Sequence, residues 1–264
     1  MSTFVHISDL HFGREVPKVL ASLLEQITRI RPDIIIISGD LTQRAKHSEF
    51  CIAKDFLEQL EYPYLIVPGN HDITTFRVFE RFFYPWKKWR QYISTELEPA
   101  SHTDEFVVVG VNTARRFGWY LDWSRGRISP SQTQRVMHEL EQTPDSSLRL
   151  LVAHHPFWLP AAYEYRHLIG RRDQALQALQ QAGVDIILSG HIHLTYSKLK
   201  QGVIISHSGT TISNRLIPHH PNSFNVIRGN RVELSLQCME FDGVKFQPTK
   251  LSHFVRSDSG WQQT

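Results

Sequence analysis

Short apolar runs alternate along the chain with longer stretches in which apolar positions recur every three or four residues. Residues 4–7, 34–37, 64–67, 106–111, 150–153 and 186–188 are brief, rich in β-branched side chains and bounded by turn formers, which predicts buried strands. Between them, residues 17–30, 47–60, 74–95, 130–142 and 171–182 carry the helical period, as in Val19, Leu20, Leu23, Leu24 and Ile27. Ser129 followed by Pro130 adds a helix-start signal to the fourth stretch. This alternation predicts an α/β layered fold with much parallel pairing in the first half. After residue 195 the pattern changes to strand-like segments with short turns such as Arg228-Gly229-Asn230-Arg231, so antiparallel strands are expected there. Neither repeats nor a linker interrupt the chain, and one domain over 1–264 is expected.

Composition narrows the class without naming a partner. A chain of 264 residues with 41% hydrophobic and 21% charged residues is long and apolar enough to bury a real core. The net charge of +3 is not gathered into a dense Lys/Arg block and by itself excludes neither nucleic acid nor a phosphorylated small molecule. It is low for a protein that tracks nucleic acid, and a small phosphorylated substrate with no stable nucleic-acid complex is expected. Two cysteines, Cys51 and Cys238, supply neither a disulfide framework nor the paired spacing of a zinc ribbon. No apolar run approaches the ~18 residues of a membrane span, and the first residues lack a secretory signal pattern, so a cytoplasmic location is expected. The 15 histidines are unusual, and their positions matter more than their number.

Polar groups of one kind follow strand after strand. Asp9 and His11 follow the first, Gly39 and Asp40 the second, and Gly69, Asn70, His71 and Asp72 the third. His154, His155 and Pro156 follow the run at 150–153, and Gly190, His191 and His193 that at 186–188. In an open α/β sheet such loops converge outside the carboxyl ends of the strands. Carboxylate, amide and imidazole groups suit Mn, Fe, Zn or Co, and they are too many for one tetrahedral ion. Two ions sharing a bridging carboxylate fit, and such pairs clamp the attacking and leaving oxygens in phosphate-ester hydrolysis. The glycines are expected where the chain turns sharply and a ligand approaches the backbone. Taken singly, each block has a plainer reading: Asp-x-His as a helix cap, Gly-Asn-His-Asp as a turn, His191 and His193 as a half-buried pair. Five together do not.

The blocks DLH (9–11), GD (39–40), GNHD (69–72), HHP (154–156) and GHIH (190–193) resemble, in order, the signature of the calcineurin-like metallophosphoesterases. SGTTISNR and PNSFN further on are similar to the bacterial cyclic-nucleotide-phosphodiesterase (class III) branch. The resemblance implies an α/β four-layer β-sandwich of two mixed sheets flanked by helices, with a dinuclear metal centre at one edge. It implies that Asp9, His11 and His193 hold one ion, that Asn70, His154 and His191 hold the other, and that Asp40 bridges them. His155 is the alternative to His154. His71 would face the scissile phosphate and help the leaving oxygen depart, with Asp72 orienting its ring; an imidazolium so placed can donate that proton.

A metal-dependent phosphoesterase acting on a nucleotide-type or other small phosphodiester is therefore expected. A nucleotide-sugar or lipid pyrophosphohydrolase, a nuclease, a phosphoprotein phosphatase and a non-enzymatic scaffold stay open as alternatives. The segment 74–93 mixes Phe76, Phe79, Phe83, Trp86 and Tyr92 with Arg77, Arg81, Lys87, Lys88 and Arg90. It reads either as a helix packing its aromatic face on the domain with its basic face solvated, or as part of a helical cap at 74–97. Such a cap would touch an anionic substrate through Phe83, Trp86, Lys87 and Arg90, and a basic amphipathic helix can also rest on a membrane surface.

Overall fold

Four consecutive isoleucines at 34–37 make sense only if both faces of their strand are covered. In the computed structural model, which describes residues 1–74, 77–116, 124–166, 168–257 and 260–264, they are. Ile34 and Ile36 pack with Phe4, Val108, Val152 and Leu188 in a core shared by two sheets. Ile35 and Ile37 face the other way, onto Leu23, Ile27, Phe50 and Phe56 of two helices.

In chain order the first elements are β1 (Ser2–Ile7), α1 (Pro17–Ile30), β2 (Ile34–Ile37), α2 (His47–Glu58) and β3 (Tyr64–Ile66). Then come α3 (Val78–Phe83), α4 (Lys87–Tyr92), β4 (Ala100–His102), β5 (Phe106–Val111), α5 (Pro130–Glu141) and β6 (Leu148–Ala153). The chain continues with α6 (Arg172–Gln181), β7 (Ile186–Ser189), β8 (Tyr196–Lys200) and β9 (Val203–His207). It closes with β10 (Ser223–Gly229), β11 (Glu233–Phe241), β12 (Phe246–Ser257) and β13 (Gly260–Gln263). One sheet runs β13-β12-β11-β10-β1-β2-β3 and the other β4-β5-β6-β7-β9-β8. Leu151, Ala153, Ile187 and Ile205 turn the outer face of the second sheet onto Val136, Leu140, Leu176 and Leu179 of α5 and α6. The layers are thus helix, sheet, sheet, helix: the two-sheet sandwich that the resemblance implied.

Local signals set the helix starts. Ser129 accepts the amide of Gln132 at 3.2 Å while the Gln132 side chain accepts the amide of Ser129 at 2.8 Å, a capping box ahead of Pro130. The stretch at 74–95, expected as one helix, is instead α3 and α4. Pro85 lacks the amide needed to continue α3 and disfavours helical angles at Tyr84, so the chain restarts with a new phase.

Pairing follows the expected division with one exception. β1, β2 and β3 are mutually parallel, and β10 to β13 are antiparallel throughout. The run at 203–207, expected to pair antiparallel, lies parallel to β7 with Ile187 opposite Ile205, and only β8 meets it antiparallel. No helix among the described residues is long and apolar enough to cross a membrane.

Candidate active site

β1, β2 and β3 of one sheet and β6 and β7 of the other end at the same edge of the sandwich, and the polar blocks meet there. Asp9, His11, Asp40, His191 and His193 all have left-handed backbone, with φ of 51°, 48°, 52°, 74° and 58°. Non-glycine residues rarely adopt these angles, and clusters of them mark sites where the chain is bent to aim side chains. β7 stops at Ser189, so His191 and His193 do not share a strand face. They part instead: His193 joins Asp9 and His11, and His191 joins His154 and His155.

Backbone carbonyls settle the tautomers of three rings. Nδ1–H of His11 donates to the carbonyl of Thr42 (3.3 Å), that of His154 to Ser38 (2.7 Å) and that of His193 to Arg215 (2.8 Å). Each Nε2 is therefore the atom turned to the centre. Nε2 of His11 and Nε2 of His193 stand 3.2 Å apart, and Asp9 Oδ1 lies 3.2 Å from the second and 3.7 Å from the first. That Oδ1 is buried with no hydrogen-bond partner. Nε2 of His154 lies 3.2 Å from Asn70 Oδ1 and 3.3 Å from Asp40 Oδ2, while Asp40 Oδ2 is also 3.9 Å from His11 Nε2. Asp40 is thus the carboxylate between the two groups. Its Oδ1 accepts the amide of His71 at 2.8 Å, and Asp9 Oδ2 accepts the Ser8 hydroxyl at 2.6 Å and the His191 amide at 2.9 Å.

At His11 and His191 the electrostatics suit a cation. Burial pushes His11 down to about 3 and His191 well below its usual range, so both rings are neutral ligand-type imidazoles. Burial also opposes charge on His154, but the adjacent Asp40 outweighs it and lifts His154 to about 9. Burial disfavours ionised Asp40 as well, yet His154 and His71 hold it well below the carboxylate range. His155 differs from its neighbour. Its Nδ1 meets the Thr113 hydroxyl at 2.7 Å and its Nε2–H donates to the Ser124 carbonyl at 2.8 Å, so both nitrogens are engaged, although they lie near those of His154 and His191.

Only one of the three glycines before a ligand answers to a turn: Gly39 has φ +95°, and a Cβ there would stand 2.6 Å from His154 Nδ1. Gly69 and Gly190 are glycine for proximity, because a Cβ would strike the carboxylates of Asp40 and Asp9 respectively.

His71 and Asp72 are arranged differently from the expectation. Asp72 does not touch the His71 ring. Its carboxylate accepts the amides of Leu41 (3.2 Å), Thr42 (2.9 Å) and Gly69 (2.9 Å) and the Thr42 hydroxyl (3.1 Å), tying the end of β2 to the end of β3. Burial and then Asp40 push Asp72 up to about 7 against those donors. The ring of His71 is oriented by the Gln43 carbonyl, to which Nδ1–H donates at 2.8 Å. A one-residue sequence spacing suggests a contact, but the short 3-10 turn Asn70–Asp72 sends the two side chains apart.

Above the centre is a cleft of about 330 Å³. Besides Asp40, Asn70, His191 and His193 it is lined by His71, Ser124, Tyr165, Arg166 and Arg215. None of the expected cap residues Phe83, Trp86, Lys87 and Arg90 lines it. The segment presents an aromatic face inward and a basic face outward only in part: Trp86 and Tyr92 pack against the core and Arg77, Lys87 and Arg90 are exposed, but Phe79, Arg81, Phe83 and Lys88 depart from that division. Trp89 is in the core, Arg81 donates to the carbonyls of Thr74, Arg115 and Arg116, and Lys88 pairs with Glu80, whereas Phe79 and Phe83 are exposed. Phe76 lies outside the described residues. Arg215 lies 144 positions from His71, and nothing local in the sequence pairs them.

These strand-end groups on this sandwich define a phosphoesterase fold, and the sequence agrees. The chain belongs to the calcineurin-like phosphoesterases, whose family model matches residues 2–194. It is 24% identical over 218 residues to a probable glycerophosphodiester phosphodiesterase of Arcobacter nitrofigilis, covering 76% of this chain and 75% of that one. It is 25% identical over 211 residues to a probable cyclic nucleotide phosphodiesterase of a Pseudoalteromonas species, covering 73% and 72%. Among solved structures, a dimetal phosphatase from Danio rerio superposes with a TM-score of 0.64 at 13% identity, over 94% of this chain and 98% of that one. A purple acid phosphatase from yellow lupin seeds gives 0.67 at 14% identity over 95% of this chain, which spans 53% of that longer protein. At such identities the structures speak for the fold.

Proposed function

We propose that the protein hydrolyses a small phosphodiester at a dinuclear metal centre, with Asp9, His11 and His193 holding one ion, Asn70, His154 and His191 the other, and Asp40 between them. One observation carries the reading. The Nε2 atoms of His11 and His193 face each other as lone-pair acceptors, beside a buried Asp9 oxygen that has no donor. Acceptors cannot satisfy one another, and a cation can satisfy all three. His154 rather than His155 completes the set, because Nε2 of His154 faces the Asn70 and Asp40 oxygens that would share its ion, whereas both nitrogens of His155 are taken by Thr113 and Ser124.

Bound ions from the group that such nitrogen and oxygen donors hold (Mn, Fe, Zn or Co) would supply Lewis-acid stabilisation of charge on the phosphate oxygens. The chain's own residues do the rest. The backbone carbonyls of Thr42, Ser38 and Arg215 accept the Nδ1–H groups of His11, His154 and His193 and fix those rings before anything binds. His71, held by Gln43, presents Nε2 to the cleft, where its protonated form can donate to the leaving oxygen. Tyr165, exposed at the cleft beside Arg166, offers a surface for the second ester substituent that distinguishes a diester from a monoester. The similarity to glycerophosphodiester and cyclic nucleotide phosphodiesterases supports diester chemistry.

The test is metal-stripped protein reconstituted separately with Mn, Fe, Zn and Co and assayed on monoesters, linear diesters, cyclic nucleotides and nucleotide pyrophosphates. Chelator-sensitive turnover, highest on diesters and lost together with metal content in Asp40→Ala, is the expected result. Full activity of the stripped protein would overturn the metal reading, and a monoester preference the diester reading.

A further inference from the structure

Arg215 stands in the cleft as an uncompensated cation. Among the described residues its guanidinium has no carboxylate partner. Its Nη1 lies 3.1 Å from His71 Nε2, 3.4 Å from Gln43 Oε1 and 3.5 Å from both ring nitrogens of His11. An arginine is always charged, and imidazole and amide acceptors accept its hydrogen bonds without neutralising it.

The backbone that carries it is tied to the candidate metal ligands themselves. Thr210 donates its hydroxyl to the Asp9 carbonyl at 2.7 Å, and Thr211 donates to the Ser8 carbonyl at 3.0 Å. Asn222 donates to the Ser213 carbonyl at 2.8 Å, the Arg215 amide donates to Ser213 Oγ at 3.3 Å, and the Arg215 carbonyl accepts Nδ1–H of His193. The main chain of Arg215 therefore moves with the centre, while its long side chain reaches over it to the His71 ring. Only the side chain is free to change partners.

We propose that Arg215 is the residue that grips the substrate phosphate, and that it does so by leaving His71 Nε2 for a non-bridging phosphate oxygen. A phosphate oxyanion is a stronger acceptor for guanidinium N–H groups than a neutral imidazole or amide, and it can take two of them at once. The exchange has a second effect. While Arg215 donates to Nε2, the lone pair of that atom is occupied; once the guanidinium turns to phosphate, the lone pair can take up a proton from solvent, and the N–H so formed faces the leaving oxygen and can be given to it. Binding of the anion thus readies the group that assists its cleavage. This rests on the phosphodiesterase reading for the identity of the substrate, but not for the binding of phosphate.

The experiment titrates inorganic phosphate into metal-reconstituted wild-type protein, Arg215→Ala, Arg215→Gln and Arg215→Lys by calorimetry. Metal content, melting temperature and kinetics on bis(p-nitrophenyl) phosphate are measured alongside. Removing the side chain leaves the carbonyl that holds His193, so metal content and melting temperature stay at wild-type values. Phosphate binds about 10- to 100-fold more weakly to the Ala and Gln variants, the usual worth of a charge-assisted hydrogen bond. Arg215→Lys, with one charged donor group and no fork, recovers part of the loss, and KM rises by more than kcat falls. Phosphate affinity within twofold of wild type in a fully metallated Ala or Gln variant overturns the proposal. So does loss of a metal ion from all three variants, which would make the side chain structural. Wild-type protein that binds phosphate through Arg215 but turns over no ester would refute the phosphodiesterase reading and leave this one standing.

Discussion

Nδ1 of His71 sits 2.8 Å from the carbonyl oxygen of Gln43, so a peptide group and not a carboxylate orients this imidazole. A carbonyl accepts only a hydrogen, which places the Nδ1 proton there and turns Nε2 to the cleft. His71→Ala is expected to keep both metal ions while turnover falls roughly two to four orders of magnitude, the range of general acid catalysis. The deficit should shrink for esters with good leaving groups. Metal analysis beside kinetics on a graded series of aryl esters decides it: loss of an ion, or a deficit independent of the leaving group, rules out the acid role.

Asp72 carries load through the backbone. With three amides and a hydroxyl donating to its carboxylate, Asp72→Asn would turn an amide group toward donors and lose about 2–4 kcal/mol of stability. Urea unfolding of the metal-free variant measures this. An unchanged midpoint would mean that the loops ending β2 and β3 hold together without it.

Lys88 is inside the protein. Its ammonium pairs with Glu80 at 2.8 Å and donates to the Ala45 carbonyl at 2.9 Å, so Lys88→Ala strands that carbonyl, leaves Glu80 with Arg77 alone at 3.5 Å and should cost about 1–3 kcal/mol. The expected signature is a lower melting temperature with equal effects on large and small substrates. A rise in KM confined to large substrates would restore the cap reading of this segment.

His6 on β1 and His207, whose ring stacks on Tyr196, are fully buried, each with one ring nitrogen lacking a partner. Burial pushes both down to about 3, whereas an unfolded histidine titrates near 6.5. Between those values the unfolded chain binds protons that the native chain does not. Their contribution is complete above pH 6.5 and is lost as the pH falls toward 3. His207→Gln should flatten the dependence of unfolding free energy on pH by about 1.4 kcal/mol per pH unit in that window. Urea midpoints of metal-free protein from pH 6.5 to 4.5 test it, and an unchanged slope would show that His207 is protonated in the native state.

Most of the strands, most of the helices and the residues that meet at the candidate metal centre were legible in the sequence, because each depends on near neighbours. The run Ile34–Ile37 announces a strand covered on both sides, and a ligand placed just past a strand end reaches the edge wherever the strand lies. Calcineurin-like membership followed from those blocks. The fate of 74–93 was less legible: periodicity reports that apolar positions recur, while Pro85 shifts their phase and so decides which rings go inward. The rest rested on contacts between distant segments. Whether His154 or His155 keeps a free nitrogen depends on Thr113 and Ser124, which β5 and the chain before α5 bring to the second ring. The partner of His71 comes from the loop after β2, and the cation in its cleft from the loop after β9. Such contacts are made only when two sheets stack and their strand ends meet at one edge, and residues scores of positions apart carry no local trace of it.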